Sequence, residues 1–330
     1  MDNLTFLGFL FGPLLMLSFL ITIFVVPIWI RRAKAENMVG RDIHKKGKPK
    51  VAEGGGIVVL IGFVVSIMAY IGIRTFIFQD QTHLIEIFGL LGVLLLASIV
   101  GIFDDLLGWK RGLSQRARLV LIFFSAVPLM VLGAGDFSIL GYQIGILYPL
   151  ILIPLGIIGA TTTFNFLAGY NGLETSQGII LLSGLTIVTF ITGNWWLSLI
   201  SACMIAALIA FYFFNKYPAK VFPGDILTYS VGALIACIAI LGNIELIALF
   251  FFIPYLLEIL LKLRGKLKKQ SFGKLEKDGS LSIKEGIYGL EHLAIWFLKK
   301  IKGKAYEWEV PIVINVFQIL VIVLGLIWFF

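Results

Sequence analysis

Long apolar runs alternate with short polar segments along the whole chain. Each run is close to twenty residues long, and an α-helix of about 20 residues crosses the roughly 30 Å hydrocarbon core of a lipid bilayer. Short turns such as Gly193-Asn194 and Gly242-Asn243 separate some of the runs. The pattern predicts ten membrane-spanning helices, at about residues 5–30, 54–73, 84–103, 117–134, 146–166, 176–193, 195–214, 226–242, 244–263 and 309–329.

The amino-acid composition supports a membrane location. Of the 330 residues, 59% are hydrophobic and 14% are charged, whereas a typical soluble domain carries about 25% charged residues. No polar stretch is long enough to bury a core of its own. We therefore expect an all-α polytopic membrane protein, with one membrane-embedded domain over residues 1–330. The first apolar run is too long for a cleaved signal peptide and is expected to remain as the first helix.

Cysteines and histidines give no sign of a metal centre. Cys203 and Cys237 lie inside apolar runs, where a small buried side chain is the simpler interpretation. The three histidines, His44, His83 and His292, lie in three different segments without the spacing of metal ligands. No zinc site is therefore expected.

Positive charge is confined almost entirely to alternate loops. Of the 27 Lys and Arg residues, 26 lie in the loops that follow odd-numbered predicted helices, and only Arg74 lies elsewhere. Cytoplasmic loops of membrane proteins carry an excess of Lys and Arg. The odd-numbered loops are therefore predicted to be cytoplasmic, which places both termini on the extracytoplasmic side.

The last cytoplasmic loop, residues 262–308, is the longest and the most basic. Its apolar positions between Ile287 and Ile301 fall largely on one helical face, and lysines follow them. An amphipathic helix of this kind lies in the membrane surface with its basic end near the lipid phosphates. We expect such an interfacial helix here.

Acidic residues mark a candidate site on the same face of the membrane. Asp104 and Asp105, Asp225, Glu174 and Glu53 come from four segments at predicted cytoplasmic ends of helices. Each alone has an ordinary explanation as a helix-terminal charge. Charges near hydrocarbon are costly and are usually functional, and independent caps have no reason to gather on one face. Their convergence therefore favours a site.

The residue types suit phosphate chemistry. Carboxylate and amide oxygens are ligands for Mg²⁺, which commonly bridges one or two carboxylates to substrate phosphates. Phosphoryl transfer needs alignment, a metal ion and cations on the developing charge. Basic residues that could contact phosphate are Lys110, Arg116, Arg118 and Arg264.

Three segments carry a resemblance to a known family. They are Phe103–Asp105, Asn165–Glu174 and Asn215–Asp225. The chain resembles the polyprenyl-phosphate N-acetylhexosamine-1-phosphate transferases, most closely the dolichyl-phosphate GlcNAc-1-phosphotransferase branch, and the order of the motifs agrees over nearly the whole chain. The resemblance implies transfer of a sugar-1-phosphate from a UDP-sugar to a membrane polyprenyl phosphate, with release of UMP and a requirement for Mg²⁺, with Mn²⁺ as the alternative.

The resemblance also implies roles for particular residues. Asn165 and Asp225 would be metal ligands, and Asn171 would contact uracil. Asp104 and Asp105 would lie beside the reacting phosphates, where one of them deprotonates or positions the acceptor phosphate.

The remaining assignments by resemblance are less direct. Arg118 takes the place of a family lysine on the donor pyrophosphate, with Arg116 or Lys110 as alternatives. Glu53 and Glu174 are expected to bind substrate. Relatives carry a proline before the residue that corresponds to Glu53, but this chain has an alanine there, which leaves the shape of that loop open.

The last cytoplasmic loop is where the family selects its sugar. The bacterial phospho-MurNAc-pentapeptide translocases carry a histidine-rich motif there that this chain lacks, so UDP-GlcNAc is the favoured donor. Arg264 is the candidate contact to the donor sugar or its phosphate. The alternative interpretation of Arg264 is an interfacial anchor at the end of the ninth helix.

The sequence thus predicts a GlcNAc-1-phosphate transferase in the cell membrane, or in the endoplasmic reticulum membrane of a eukaryote, with its active site on the cytoplasmic face. UDP-GlcNAc, a polyprenyl or dolichyl phosphate and membrane lipid are the expected partners, and nucleic acid is not. The alternatives are a different UDP-N-acetylhexosamine donor and a secondary transporter. A homodimer is an open alternative to a monomer.

Overall fold

Thirteen α-helices make up most of the part of the chain that the computed structural model describes, residues 3–107, 112–135, 138–139 and 142–330. The helices are α1 Asn3–Ala35, α2 Gly56–Gly72, α3 Leu84–Leu107, α4 Gln115–Ser125, α5 Val127–Leu132, α6 Ile153–Phe166, α7 Leu173–Ile191, α8 Trp195–Asn215, α9 Asp225–Leu241, α10 Glu245–Phe251, α11 Ile253–Arg264, α12 Leu290–Lys302 and α13 Glu309–Phe329. Five-residue π-helical segments, Ile73–Ile77 and Tyr148–Leu152, extend α2 and precede α6.

Three short antiparallel hairpins complete the described secondary structure. The strands are β1 Val39–Arg41 with β2 Lys50–Ala52, β3 Ser138–Ile139 with β4 Tyr142–Gln143, and β5 Lys274–Leu275 with β6 Leu281–Ser282. The predicted all-α class is therefore correct for the membrane-embedded part.

Within the described residues, eight helical segments are long and apolar enough to cross a membrane, and a ninth joins them if α10 and α11 form one span. The chain is a multi-pass membrane protein. Eight of the ten predicted segments coincide with one helix each, and the fourth and ninth coincide with the pairs α4–α5 and α10–α11. Helix α9 has 17 residues, too few to be counted among the candidate spans. Large apolar side chains such as Phe24, Val131 and Trp328 lie exposed on the outside of the spans, where lipid would cover them.

The short helix α9 is the core of the bundle. It packs against α3 and α6, and every residue from Ile226 to Ile240 is buried. A helix that is apolar on all sides is one that other elements surround. Because protein rather than lipid encloses α9, its length is not tied to the thickness of the bilayer.

Glycines allow the neighbours of α9 to approach closely. A Cβ atom on Gly101 of α3 would lie 2.6 Å from the Cα atom of Ile226, and one on Gly232 of α9 would lie 2.7 Å from the Cα atom of Thr161. Small residues at such crossings bring helix backbones together inside membranes. The two glycines therefore determine how closely α3, α9 and α6 pack.

Several predicted boundaries differ from the observed ones. Helix α3 continues to Leu107, which places Asp104 and Asp105 in its last turns, and α7 begins at Leu173, which brings Glu174 into its first turn. The predicted ninth helix is divided into α10 and α11, which meet at an angle of 58°. Pro254 lies in the first turn of α11, where a residue without an N–H is tolerated. The same residue could not donate the hydrogen bond that would continue α10, so the helix breaks there.

Backbone hydrogen bonds join the loop before α2 to the loop before α9. Ala52 forms a parallel bridge with Val221, and its carbonyl accepts from the N–H of Phe222 at 2.7 Å. The N–H of Gly55 in turn donates to the carbonyl of Phe222 at 2.9 Å. Ala52 is fully buried. The alanine that replaces the expected proline thus lies in a β-bridge that defines the shape of this loop.

A helix, α12, is present where the interfacial helix was predicted. Leu290, Ala294 and Ile295 are buried against the protein, whereas Trp296 and Ile301 are exposed. Its placement in the membrane surface stays a prediction.

We expect Gly101→Ala to destabilise the protein by about 1–3 kcal/mol, because the added methyl group would press on the backbone of α9. Gly159→Ala on α6 is the matched control, since no atom lies within 4 Å of a Cβ atom at that position. Thermal unfolding of both variants in detergent tests this. Equal melting temperatures for the two variants would contradict the proposed close packing.

Candidate active site

Asp104 and Arg118 form an ion pair between α3 and α4. An oxygen of Asp104 lies 2.7 Å from Nη2 of Arg118, and Oδ1 of Asp104 accepts from the N–H of Leu113 at 2.8 Å. Nε of Arg118 donates to the Leu113 carbonyl at 3.2 Å. Asp104 is buried, but the Arg118 side chain remains 31% exposed. The guanidinium is therefore oriented by the protein and still accessible to an anionic ligand.

Asp105 points the other way and caps α9. Its carboxylate accepts from the N–H groups of Asp225 at 2.8 Å and Ile226 at 3.2 Å. A carboxylate at a helix N-terminus satisfies free N–H groups and complements the helix dipole. Gly224 has a φ of +74°, and a Cβ atom there would collide with Asp105. The Pro-Gly-Asp sequence before α9 is thus the local arrangement that lets Asp105 reach the helix end.

Asp225 and Asn165 lie at the same end of the bundle. Oδ1 of Asn165 accepts from the Thr228 hydroxyl at 2.9 Å, and Thr228 lies one turn along α9 from Asp225. The Asp225 carboxyl interacts with those of Asp104 and Asp105 and with the Arg118 guanidinium. We call Asp104, Asp105 and Asp225 the acidic cluster. Its three carboxylates share one guanidinium, so the site has an excess of negative charge that would attract a cation.

Glu53 lies near the acidic cluster. Its backbone carbonyl accepts from Nε1 of Trp29 at 2.9 Å, and its carboxylate is close enough to Asp105 for the two charges to repel. The bridge between Ala52 and Val221 holds Glu53 in this place. The structure therefore brings together Glu53, Asp104, Asp105, Arg118, Asn165 and Asp225 from five segments.

Glu174 supports the loop between α6 and α7. The side chain is buried, and its Oε1 accepts from the N–H of Gly169 at 2.8 Å. Gly169 and Gly172 have φ values of +102° and +80°, a region that favours glycine. The geometry gives Glu174 a part in shaping this loop, and its predicted contact with substrate stays a prediction.

Asn171 connects its own loop to three other loops. Its Nδ2 donates to Oδ2 of Asp42 at 3.1 Å and to Oε1 of Glu307, and its Oδ1 accepts from the N–H of Ala219 at 2.9 Å. The ammonium of Lys45 contacts Asp42 and lies 3.2 Å from Oε2 of Glu307. Asn171, Asp42 and Glu307 are all buried. We call these residues, with Lys45 and Ala219, the Asn171 junction.

His44 lies beside the Asn171 junction. Its ring stacks on Tyr170 with 4.4 Å between centroids, and Phe272 contacts it edge-on at 5.8 Å. The pKa of His44 is lowered to about 4, mainly by burial. The charge on Asp42 raises this pKa, and the charge on Lys45 lowers it further. The imidazole is therefore neutral near pH 7.

Asp42, His44 and Glu307 have potential ligand atoms within 4.8 Å of one another. The Lys45 ammonium already contacts both carboxylates of this group, whereas the acidic cluster has one guanidinium for three carboxylates. Sequence reasoning missed these residues because His44 and Glu307 are far apart in the chain, where no spacing rule applies. The charged residues of the loop between α1 and α2 were the only available signal.

The segment between α11 and α13 is attached to the bundle by a buried glutamate. Oε2 of Glu258 on α11 accepts from the N–H of Leu290 at 2.6 Å, which caps α12. Nζ of Lys262 lies 3.3 Å from Oε1 of Glu258 and donates to the Ser271 hydroxyl at 2.6 Å. Burial, followed by the neighbouring Glu258, raises the pKa of Glu291.

The other predicted phosphate contacts lie at the surface. Arg264 ends α11 and is exposed, and Arg116 in the first turn of α4 is exposed as well. Lys110 lies outside the described residues. Of the two described alternatives, Arg116 and Arg118, it is Arg118 that the structure places against the acidic cluster.

The sequence has well-matched relatives. A protein of Saccharolobus solfataricus, provisionally named UDP-N-acetylglucosamine–dolichyl-phosphate N-acetylglucosaminephosphotransferase, is 35% identical over 308 residues, 91% of each chain. The sequence profile of glycosyl transferase family 4 matches residues 87–243. The chain belongs to glycosyl transferase family 4. The matched part of this family 4 protein runs from α3 to the end of α9 and therefore includes the acidic cluster.

Two further relatives show the range of this family. A Sulfolobus acidocaldarius protein with the same provisional name is 30% identical over 321 residues, 94% of this chain and 93% of its own. The phospho-N-acetylmuramoyl-pentapeptide-transferase of a Streptococcus pyogenes M6 strain is 27% identical over 258 residues, 73% of this chain and 76% of its own.

We expect His44 to make the family 4 protein less stable in acid. The folded state holds the imidazole neutral down to about pH 4, whereas the unfolded chain takes up a proton near pH 6.5. The unfolded state therefore binds more protons in this window, and stability falls by up to about 3 kcal/mol as the pH falls from 7 to 4. The groups facing the ring are Asp42, Lys45, Tyr170, Phe272 and Glu307.

His44→Phe should remove this part of the pH dependence, and thermal melts at a series of pH values measure it. Other groups, Glu307 among them, titrate in both proteins, so their contributions cancel when the stability of the variant is subtracted from that of the wild type at each pH. His83→Phe is the control, because His83 is exposed. Parallel wild-type and His44→Phe stability curves would show that His44 does not stay neutral.

Proposed function

We propose that this family 4 protein transfers GlcNAc-1-phosphate from UDP-GlcNAc to a polyprenyl phosphate, dolichyl phosphate in particular, and releases UMP. The acidic cluster carries the proposal, because it places three carboxylates and an accessible guanidinium at one end of α3 and α9. The names of the two archaeal relatives support this donor and this acceptor. The reaction would be an early membrane step in the assembly of a glycan.

The active site is proposed to lie on the cytoplasmic face, with both termini on the opposite side. The distribution of Lys and Arg supports this orientation, since the loops joined to the site carry nearly all of them. The nucleotide would enter from the cytoplasm, and the lipid phosphate would approach from the bilayer.

Asn165 and Asp225 are proposed to hold Mg²⁺, with Mn²⁺ as the alternative. The donor set fits, because hard divalent ions prefer carboxylate and amide oxygens and the acidic cluster has more negative charge than Arg118 neutralises. When bound, the ion would supply positive charge to the phosphate oxygens. The group of Asp42, His44 and Glu307 fits less well, because Lys45 already contacts its carboxylates.

The reaction joins the two phosphates of donor and acceptor. An oxygen of the lipid phosphate forms a bond to the β-phosphorus of UDP-GlcNAc, and the bond from that phosphorus to the bridging oxygen breaks, so that UMP leaves with the electron pair. The second pKa of a phosphate monoester is about 6. The acceptor is therefore mostly a dianion at neutral pH and needs little help from a base to lose its proton.

The residues of the cluster divide the remaining work. Arg118, oriented by Asp104 and Leu113, would bind the donor pyrophosphate and stabilise the charge that develops on it. Asp105 uses both carboxylate oxygens to hold the start of α9, so its main role would be to position Asp225. Asn171 is proposed to contact the uracil ring and Arg264 the donor sugar or its phosphate.

A secondary transporter is the alternative of a different class. It would place acidic residues in mid-membrane and broken helices in both halves of the chain. The acids of the proposed site lie at helix ends instead, and within the described residues the one bent helix pair, α10 and α11, lies in the second half. These observations favour the enzyme.

We expect Asp225→Asn to lower transfer by about a hundredfold or more, because it removes a charge from the cation site without changing the side-chain shape. Asp105→Ala should abolish transfer as well, through loss of the α9 cap. Transfer of label from UDP-GlcNAc to dolichyl phosphate, measured across a Mg²⁺ titration, tests both variants, and thermal melts check folding. Asp278→Asn on the exposed β5–β6 hairpin is the matched control.

A wild-type rate in the Asp225 variant would exclude that residue from the mechanism. Wild-type protein that puts no label into lipid, with or without Mg²⁺, would refute the proposed function.

A panel of UDP-GlcNAc, UDP-GalNAc and UDP-glucose against dolichyl and undecaprenyl phosphate tests substrate choice. We expect UDP-GlcNAc with dolichyl phosphate to give the highest kcat/KM, with the product identified by mass. Faster transfer from UDP-GalNAc would instead support the alternative N-acetylhexosamine donor.

A further inference from the structure

The Asn171 junction fixes the direction of an amide at the nucleotide end of the proposed site. The backbone N–H of Ala219 can only donate a hydrogen bond, so the atom of Asn171 that it contacts must be the oxygen. On the other side of the amide, Nδ2 faces the carboxylates of Asp42 and Glu307. Donor and acceptor ends are therefore assigned from two independent contacts.

This arrangement limits what Asn171 can offer to a ligand. An amide nitrogen has two N–H bonds, and the carboxylates of Asp42 and Glu307 take both of them. The amide oxygen has two lone pairs, and the Ala219 N–H takes one. The capacity that remains on the side chain is one lone pair on Oδ1, so Asn171 can accept from a ligand but not donate to it.

The nucleobases differ at the position that such an acceptor would detect. Uracil carries an N–H donor at N3, whereas cytosine has an acceptor lone pair at N3. Opposite an acceptor, uracil forms a hydrogen bond and cytosine leaves two lone pairs facing each other. A site that pairs a donor rejects the analogue that lacks it, because buried polar groups are then left unsatisfied.

We infer that Asp42 and Glu307 are positioning residues that hold the Asn171 amide with its oxygen towards the nucleotide and so set the preference for uracil over cytosine in the donor. The inference rests on the proposed function, in which Asn171 contacts the base. Lys45 stabilises the pair, because its ammonium lies against both carboxylates. Buried carboxylates without a partner would be strongly destabilising.

The same contacts link the base site to distant parts of the chain. Asp42 lies between β1 and β2, Ala219 precedes α9, and Glu307 precedes α13. The loop that carries Asn171 therefore depends on the first and last cytoplasmic loops for its orientation. A substitution in either loop should change nucleotide selectivity without contact with the nucleotide.

Calorimetry with UMP and CMP tests this in the full-length protein, with competition by both nucleotides in the transfer assay. In Asp42→Asn and Glu307→Gln the new amides can donate as well as accept, so they no longer enforce one orientation. We expect the preference for UMP over CMP to fall by about tenfold and the KM for UDP-GlcNAc to rise, with kcat little changed. The double variant should show the larger loss. Glu309→Gln is the matched control, since Glu309 pairs with Lys302 instead.

A charge exchange provides the second test. Asn171→Asp alone places a third carboxylate beside Asp42 and Glu307 and should impair binding of both nucleotides. Adding Asp42→Asn restores one amide and one acceptor across that contact, while Glu307 still faces a carboxylate, so the double variant should regain part of the preference for UMP.

An unchanged ratio of UMP to CMP affinity in folded Asp42 and Glu307 variants would overturn the inference. A changed Mg²⁺ requirement with an unchanged ratio would also overturn it, since the carboxylates would then serve a cation. The proposed function fails by a different result, the absence of transfer by wild-type protein, and direct nucleotide binding is measured without transfer.

Discussion

The close contact between α3 and α9 is the constraint on which the site depends. Because Gly101 lets α3 lie against the start of α9, Asp105 reaches the two N–H groups that begin that helix. The preceding residue, Asp104, then faces the opposite way, towards Arg118. One helix contact thus explains why two adjacent aspartates have different partners. It also explains why Asp225, the first residue of the capped helix, interacts with both Asp104 and Asp105.

The second organising feature is that the polar loops joined to the site are built around buried polar contacts. Buried carboxylates need a cation or hydrogen bonds, and three of them here have such partners: Asp42 and Glu307 have Lys45 and Asn171, and Glu258 has Lys262 and the start of α12. These contacts join residues that are up to 262 positions apart along the chain. Long surface loops are thereby held in defined positions relative to the bundle.

Much of the fold could be predicted from the sequence, because the length of an apolar run indicates whether it can cross the lipid bilayer as a helix. Helix α13 occupies the predicted residues 309–329, whereas α9 was predicted as an ordinary span although protein surrounds it. Hydrophobicity alone cannot distinguish burial in protein from burial in lipid. The acidic cluster was also predictable, since its acids mark helix ends. The partners of Asn171 were not, because tertiary contact brings Asp42 and Glu307 to it.

The β-bridge between Ala52 and Val221 has a mechanical consequence. Together with the hydrogen bonds between Phe222, Ala52 and Gly55, it makes the segment carrying Glu53 and the segment leading to Asp225 one stiff wall. Neither segment can move alone without breaking these hydrogen bonds. Any rearrangement on this side of the acidic cluster therefore has to move Glu53 and the start of α9 together.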